Sequence, residues 1–152
     1  MQWSLSFDGS DDYVACGTLS TAGVSLTVEV WVKILPNTKG AIVAQKDSGQ
    51  VSWLLEVSDD NFCWTVVMDD LTAWSVTGAE TVVENTWYHV AATFDAVSRG
   101  LHLWVNGVED ASDVTIGNLL GEGEITLGWM RGYDPSFLQL AWVRISDSVR
   151  YT

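Results

Sequence analysis

The sequence predicts an all-β fold, a two-sheet antiparallel sandwich built as a single domain over residues 1–152. Three observations lead to this prediction. Apolar residues recur at every second position in most segments, turn residues separate these segments at short intervals, and the sequence lacks helical periodicity. With 152 residues, 47% of them hydrophobic, the chain is long and apolar enough for one core without disulfide or metal support.

The individual strands follow from the same alternation. In Leu26–Ile34 the apolar side chains fall on one face, and a second set that includes a glutamate and a tryptophan falls on the other. The pair Asn106-Gly107 predicts a type I′ hairpin turn, because both residues tolerate positive φ. Two longer stretches, 106–124 and 128–136, are rich in glycine and are predicted to be irregular loops. Further strands are predicted at 51–57, 62–68, 74–76, 87–94, 101–105, 125–127 and 137–145.

The charge balance excludes some classes of partner. The chain carries 20 acidic and 7 basic residues, a net charge of −13. Such a surface repels both the phosphate backbone of nucleic acids and anionic lipid headgroups. No apolar run approaches the roughly 20 residues of a membrane helix, and the first residues lack the basic and apolar regions of a signal peptide. We therefore expect neither nucleic acid nor membrane as a partner, and synthesis in the cytoplasm.

The two cysteines do not form a metal or redox motif. Cys16 and Cys63 lack CxxC spacing and have no neighbouring histidine. Both stand among apolar residues, which favours buried free thiols. The sequence leaves open whether they pair with each other.

Four spaced motifs carry a family resemblance. They lie at Leu5–Val14, Ser25–Lys33, Thr86–Asp95 and Leu101–Gly107, in an order and spacing that continue to Tyr151. Together they resemble laminin-G-like domains of the concanavalin A type. The resemblance implies a jelly-roll sandwich, a fold that hosts lectins, glycanases, adhesins and structural virion proteins, so the fold alone does not name the ligand.

The same resemblance implies a candidate calcium site. In the family, aspartates of the first turn often act with an aspartate on the last strand. The first half is present here as Asp8, Asp11 and Asp12, but Ala141 stands where the family has the last aspartate and Trp142 where it has glutamate. Calcium takes six to eight oxygen ligands, so the loss of a carboxylate weakens such a site. A tight Asx-type turn is the favoured interpretation, and we expect no cofactor, with calcium the disfavoured exception.

The sequence also predicts that the protein is not an enzyme. Glycanases of this fold carry two or three carboxylates at alternate positions of one strand, so that a pair flanks the glycosidic bond. No predicted strand has such a run, and Glu122 and Glu124 have the spacing but stand among glycines. His89 and His102 lie within strand motifs, where a structural role is more common than general-base catalysis.

Nine tryptophans make aromatic binding the strongest functional signal. Indole rings stack on sugar faces and also anchor protein interfaces. Most of them, including Trp31 and Trp87, are expected in the core. The predicted ligand-binding residues are the loop set Trp129, Arg131, Tyr133 and Asp134, together with Trp74 after the turn at 69–70.

The last ten residues add a contextual signal. Residues 143–152 read VRISDSVRYT, which resembles the ending of laminin-G-like domains in bacteriophage structural proteins. We therefore expect a non-enzymatic binding module, specifically a virion surface protein such as a capsid decoration or tail component. Its partner would be a virion or capsid protein or another copy of itself. The alternative is an extracellular lectin domain that binds glycans through its loop aromatics.

Overall fold

The computed structural model describes residues 3–130 and 136–151. Within these ranges the chain forms twelve strands, and none of the described residues forms a helix that could cross a bilayer. The strands are β1 Leu5–Asp8, β2 Val14–Thr18, β3 Leu26–Ile34, β4 Gly40–Asp47, β5 Gln50–Ser58, β6 Asn61–Val67, β7 Ala73–Thr81, β8 Trp87–Phe94, β9 Gly100–Val105, β10 Val108–Val114, β11 Glu124–Leu127 and β12 Phe137–Ser146.

The strands form two six-stranded sheets. Sheet A has the order β1-β12-β3-β8-β9-β10, and sheet B has the order β2-β11-β4-β5-β6-β7. Every strand pairing within them is antiparallel. The predicted class, a two-sheet antiparallel sandwich, is confirmed.

The core lies between the sheets and is built from alternate residues. The even-numbered residues of β3 from 26 to 32 are fully buried, as the period-two pattern predicts. From sheet B, Trp53 and Trp64 fill the centre with ring centroids 5.9 Å apart. Each indole N–H has an acceptor at 3.1 Å, the hydroxyl of Thr21 for Trp53 and the carbonyl of Thr93 for Trp64. These two hydrogen bonds offset the cost of burying a polar group.

One predicted loop is a strand. The Asn106-Gly107 turn is confirmed, since both residues have positive φ (51° and 82°). It leads directly into β10, which pairs with β9, so the expectation of an irregular stretch from 106 to 124 was wrong over 108–114. β10 is the outermost strand of sheet A and no residue in it is buried. It therefore lacks the apolar alternation by which strands are recognised in a sequence.

The two cysteines are free, and their environments differ. Cys63 is buried on β6, as predicted. Cys16 is exposed, which corrects the prediction, because β2 is an edge strand and all of its residues after Val14 are exposed. Partial burial and the nearby Glu124 carboxylate still raise the pKa of the Cys16 thiol.

The two sheets are joined along one side of the sandwich. Asp110, at the bulge of β10, accepts a hydrogen bond from the Glu80 N–H of β7 at 3.2 Å. Gly78 permits this approach, since a Cβ there would lie 2.0 Å from the Asp110 carboxylate. On the opposite side, the edges of the sheets are β1 and β2.

Candidate functional site

A bulge in β12 turns two functional side chains outward. Leu140 pairs with β3 and faces the core, and the register then shifts by one residue before Trp142. After the shift Trp142 lies opposite Trp31, and Arg144 lies opposite Glu29. Because one extra residue exchanges the two faces of a strand, Trp142 and Arg144 point away from the core.

These side chains belong to a ribbon of rings that crosses the outer surface of sheet A. The ring centroids of Trp31 and His89 are 5.4 Å apart, and those of His89 and Tyr151 are 6.1 Å apart. Tyr151 contacts Trp104 at 6.0 Å, and Trp104 contacts His102 at 6.4 Å. The ribbon therefore spans β3, β8 and β9. We name this surface the aromatic face, and its members are Trp31, Trp87, His89, His102, Trp104, Trp142 and Tyr151.

The expectation that most tryptophans are core residues was wrong. Trp53 and Trp64 are completely buried, whereas Trp31, Trp87 and Trp104 are partly exposed on the aromatic face. Trp142 is 41% exposed. The signal was present in the alternation, since position 31 has the opposite parity to the buried apolar residues of β3.

A buried carboxylate holds the face together. Glu29 is only 1% exposed and accepts hydrogen bonds from Arg144 through Nε at 2.6 Å and Nη2 at 2.5 Å. The Arg150 Nε lies 3.4 Å away, and the Tyr151 hydroxyl donates to the same carboxylate. Burial, and then the hydrogen bond to Glu29, raise the pKa of Tyr151 to about 12. The Glu29 carboxylate therefore contacts the side chains of two arginines and one tyrosine.

The C-terminal segment is part of this surface. The Thr27 hydroxyl donates to the Ser148 carbonyl at 2.6 Å, and the Arg150 N–H donates to the Thr27 hydroxyl at 3.2 Å. These contacts draw the segment 147–151 back across β3 and place Tyr151 between His89 and Trp104.

The contacts of His89 and His102 favour a structural role for both residues. His89 Nε2 is 3.8 Å from Glu29, but burial lowers the pKa of His89, and Arg144 acts in the same direction. His102 Nδ1 lies 2.5 Å from Glu109, and this hydrogen bond lowers the pKa of the Glu109 carboxyl. Neither arrangement provides a poised general base, which agrees with the structural interpretation of both residues.

The predicted loop site is only partly described. Trp129 is partly exposed and meets Tyr13 edge to face, with centroids 5.4 Å apart. Gly128 begins this loop with φ of +79°, and a Cβ there would lie 2.1 Å from the ring of Phe7. The Ser136 N–H closes the loop on the Gly128 carbonyl at 3.0 Å. Arg131, Tyr133 and Asp134 lie outside the described residues.

Trp74 does not join Trp129. It lies on β7 opposite Val66 and packs against the main core. Four strand spacings separate β7 from β11 in sheet B, about 19 Å at the usual distance between strands. The structure therefore does not bring the two predicted tryptophans into one site.

The three aspartates of the first turn do cluster. One carboxylate oxygen from each of Asp8, Asp11 and Asp12 lies within 4.8 Å of the others, and all three residues are exposed. Asp8 accepts from the Ser10 N–H at 2.8 Å, and Asp12 accepts from the Asp8 N–H at 3.1 Å, so the Asx-type turn is present. We name these three residues the acidic turn.

The pairing of β1 with β12 shows that position 141 does not supply the second half of a calcium site. Asp8 lies opposite Phe137, and Leu5, at the other end of β1, lies opposite Leu140. Ala141 is therefore four residues along β12 from the level of Asp8, about 13 Å at the rise of a strand. A carboxylate at position 141 would not reach the acidic turn.

The strand carboxylate Glu56 has no carboxylate opposite it in the sheet. Glu56 is half-buried, and burial raises the pKa of its carboxyl, but its cross-strand neighbours are Ala41 and Cys63. Glu122 instead accepts a hydrogen bond from the Ser20 hydroxyl at 2.8 Å. Two carboxyl groups about 5–10 Å apart across a cleft are needed for glycoside hydrolysis, and Glu56 lacks such a partner among these neighbours.

Comparison with known proteins agrees with this architecture. The sequence profile of the concanavalin A-like lectin/glucanases superfamily, of the laminin-G type, matches residues 8–150. No curated protein sequence matches the chain at a significant level.

Solved structures with the same fold include binding domains. The native heptameric SAP-like pentraxin from Limulus polyphemus is similar with a TM-score of 0.71 and 16% identity, over 93% of this chain and 74% of the pentraxin. The binding domain of Paraclostridial mosquitocidal protein 1 is similar with a TM-score of 0.76 and 14% identity, over 95% of this chain. The binding domain of botulinum neurotoxin serotype G gives 0.71 and 12%, also over 95%. This chain spans 39% of each toxin domain.

Proposed function

Because this chain belongs to the concanavalin A-like lectin/glucanase superfamily, we propose that it is a non-enzymatic binding module that docks on protein through its aromatic face. We further propose that it serves as a phage-type virion surface protein, a capsid decoration or tail component. The observation that carries the proposal is the aromatic face itself. A solvated strand surface has no need of tryptophan on adjacent strands, and here Trp31 and Trp142 stand opposite each other across β3 and β12.

The composition of the face suits a protein interface. Tryptophan, tyrosine and arginine are the side chains most enriched at the energetic centres of interfaces. All three occur here, and the guanidinium of Arg144 lies 4.9 Å from the ring centroid of Trp142. Five of the rings, from Trp31 through His89, Tyr151 and Trp104 to His102, form a chain of contacts, so these side chains have little entropy left to lose on docking.

The charge distribution supports docking through this face. The chain as a whole carries a net charge of −13, whereas the aromatic face is flanked by two cations, Lys33 and Arg150, and one acid, Glu109, which contacts His102. The buried carboxylate of the face, Glu29, is ion-paired. Like charges repel over about 8 Å at physiological salt. An acidic partner, or a second copy of this acidic protein, would therefore meet less repulsion here than elsewhere.

The virion assignment is supported by the C-terminal segment. Residues 143–152 resemble the ending of phage structural proteins, and the same segment supplies Arg144 and Tyr151 to the aromatic face. On this proposal the protein acts at the virion surface after synthesis in the host cytoplasm.

Sedimentation velocity over a wide concentration range tests the docking proposal. Trp142→Ala removes an exposed ring without opening the core, and it should weaken assembly about 30-fold if Trp142 is a central anchor worth about 2 kcal/mol. Val97→Ala, at an exposed apolar residue in the turn between β8 and β9, is the matched control and should leave assembly unchanged. A monomer at high concentration that binds a defined glycan would contradict the proposal.

One observation favours a lectin as the second candidate. Tyr13 is half-exposed, and with Trp129 it forms an aromatic pair at the rim of the 128–136 loop. Such rings can stack on the apolar face of a sugar. A glycan array separates the candidates, since Tyr13→Ala and Trp129→Ala would abolish glycan binding by a lectin and leave its monomeric state unchanged.

A further inference from the structure

Three of the four sheet edges carry features that prevent pairing with another strand. β10 has a bulge and the acidic residues Glu109, Asp110 and Asp113. β2 is bulged next to Gly17, and the N–H of Glu80 on β7 is already bonded to Asp110. Bulges, charges and capped backbone groups are the usual means by which proteins protect their edges.

The fourth edge, β1, is protected only at its end, where Asp8 is charged and its N–H is bonded to Asp12. Its four pairs with β12 run without a register shift, and the stretch Trp3–Phe7 contains no charge and no proline. Ser4, Leu5 and Ser6 are all exposed. Among the described residues, β12 is the only strand that pairs with β1. The regular, uncharged stretch Trp3–Phe7 is therefore a template for an added strand.

The orientation of the backbone shows which groups are available. The Asp8 N–H donates to the Asp12 side chain rather than to β12. In an antiparallel strand the N–H and C=O of alternate residues point the same way, so Ser6 also directs its backbone groups away from β12. An added strand would therefore pair with Ser6.

An apolar groove lies at the start of β1. It has a volume of about 420 Å³ and is lined mainly by apolar side chains. Trp3, which is 85% exposed, and Leu5 form one wall, and Leu140 and Leu127 close the floor between the sheets. The groove can therefore take a bulky apolar side chain and remove it from water.

The other end of β1 is acidic rather than apolar. The acidic turn places three exposed carboxylates there, within 4.8 Å of one another. The two ends are separated by the length of β1, about 10 Å. Lysine or arginine beside the acidic turn and an apolar residue beside Trp3 would match the two ends by charge and by polarity.

We infer that β1 accepts an extended segment of another protein as an added antiparallel strand. The segment runs from the acidic turn towards Trp3, so its N-terminal part carries lysine or arginine and its C-terminal part carries a bulky apolar residue that enters the groove. The main-chain hydrogen bonds at Ser6 provide affinity, and the two ends provide direction and selectivity. This site is distinct from the aromatic face, although Trp142 borders both.

The test uses the whole protein and a synthetic peptide of about eight residues, which covers the stretch Trp3 to Asp8 and extends about one residue beyond each end. The probe has two lysines, then alternating threonine and valine, then a C-terminal leucine, and it carries a fluorophore for anisotropy. We expect saturable binding that weakens with salt. Ser6→Pro removes the free N–H and should weaken binding about tenfold or more, whereas Ser6→Ala keeps the backbone and should bind like the parent protein.

Two further comparisons keep the inference testable if Ser6→Pro disturbs folding. Asp11→Lys should weaken binding about three- to fivefold and flatten the salt dependence. The same peptide in reverse order, with leucine first and the lysines last, should bind at least about tenfold more weakly, since each end would meet the wrong chemistry.

Other outcomes overturn the inference. Equal binding of the forward and reversed peptides, or equal binding by the Ser6→Pro and Ser6→Ala proteins when both are folded, rules out a strand added in this direction. A peptide-free dimer that Ser6→Pro dissociates would identify a second copy as the occupant of β1. None of these readouts involves assembly through the aromatic face, so failure here is distinguishable from failure of the proposed docking function.

Discussion

Removing the charge of Glu29 provides the sharpest test of how the aromatic face is built. The carboxylate is 1% exposed and contacts Arg144, Arg150 and Tyr151. Glu29→Gln preserves its shape but leaves both guanidinium groups without their counterion. Breaking a fully buried ion pair costs about 3–5 kcal/mol. Here the arginines are 38% and 42% exposed and can be hydrated, so we expect about 2 kcal/mol.

The matched control is a second carboxylate with an equally short contact and a different environment. Glu109 lies 2.5 Å from His102 but is 40% exposed. Exposed pairs contribute about 0–1 kcal/mol, so Glu109→Gln should change the free energy of unfolding by no more than about 0.5 kcal/mol. Urea denaturation of the two variants measures the difference directly, provided that the m-value is unchanged.

Proteolysis gives a local measurement that complements the global measurement of unfolding. Arg150 is a trypsin site, and in the parent protein its backbone N–H is bonded to Thr27 and its side chain contacts Glu29. Glu29→Gln should speed cleavage after Arg150 by about tenfold, because the C-terminal segment loses its attachment. Equal stability of Glu29→Gln and Glu109→Gln, with no change in cleavage, would refute the role assigned to Glu29.

Three further outcomes are expected. Since the pKa of His89 is lowered in the folded protein, the stability that His89 contributes is present above its unfolded pKa of about 6.5 and is lost as the pH falls below it. His89→Phe should therefore flatten the dependence of the free energy of unfolding on pH between about pH 7 and 5, with Glu29, Arg144 and Tyr151 still facing position 89. Calcium at about 1 mM should stabilise the protein by less than about 1 kcal/mol, because the acidic turn offers few of the six to eight oxygens required; thermal unfolding with calcium against magnesium checks this. Product analysis should detect no hydrolysis of β-glucans, and turnover that disappears in Glu122→Gln would contradict the non-enzymatic assignment.

The sequence predicted some strands closely and missed others: β4 was not among the predicted strands, and β7 was predicted only over 74–76. β3 and β8 have the predicted bounds to within a residue, since their apolar residues alternate against a core. β10 escaped because both of its faces are solvated. The Asn106-Gly107 turn before it was nevertheless a local signal, and a hairpin turn implies a second strand.

The candidate site was harder to predict because it depends on register and on long-range contacts. A one-residue bulge decides that Trp142 faces outward, and neither its position nor its existence can be read from the local pattern. The contact between Tyr151 and Glu29 joins residues 122 positions apart. The distance of Ala141 from the acidic turn could not be predicted for the same reason, since the pairing of β1 with β12 fixes the level of each residue.

The members of the aromatic face differ in whether their contribution to protein stability is enough to explain their presence. Tyr151 covers the Glu29 network and has a hydrogen bond within the protein, so stability is enough to explain it. Trp142 is different: it stacks on an arginine that Glu29 already holds, and 41% of it remains in water. Exposed indole on a regular strand brings a risk of aggregation, which selection tolerates where the ring has a partner. Trp142→Ala should therefore leave the free energy of unfolding nearly unchanged while it weakens docking, and this separation distinguishes a binding surface from a second core.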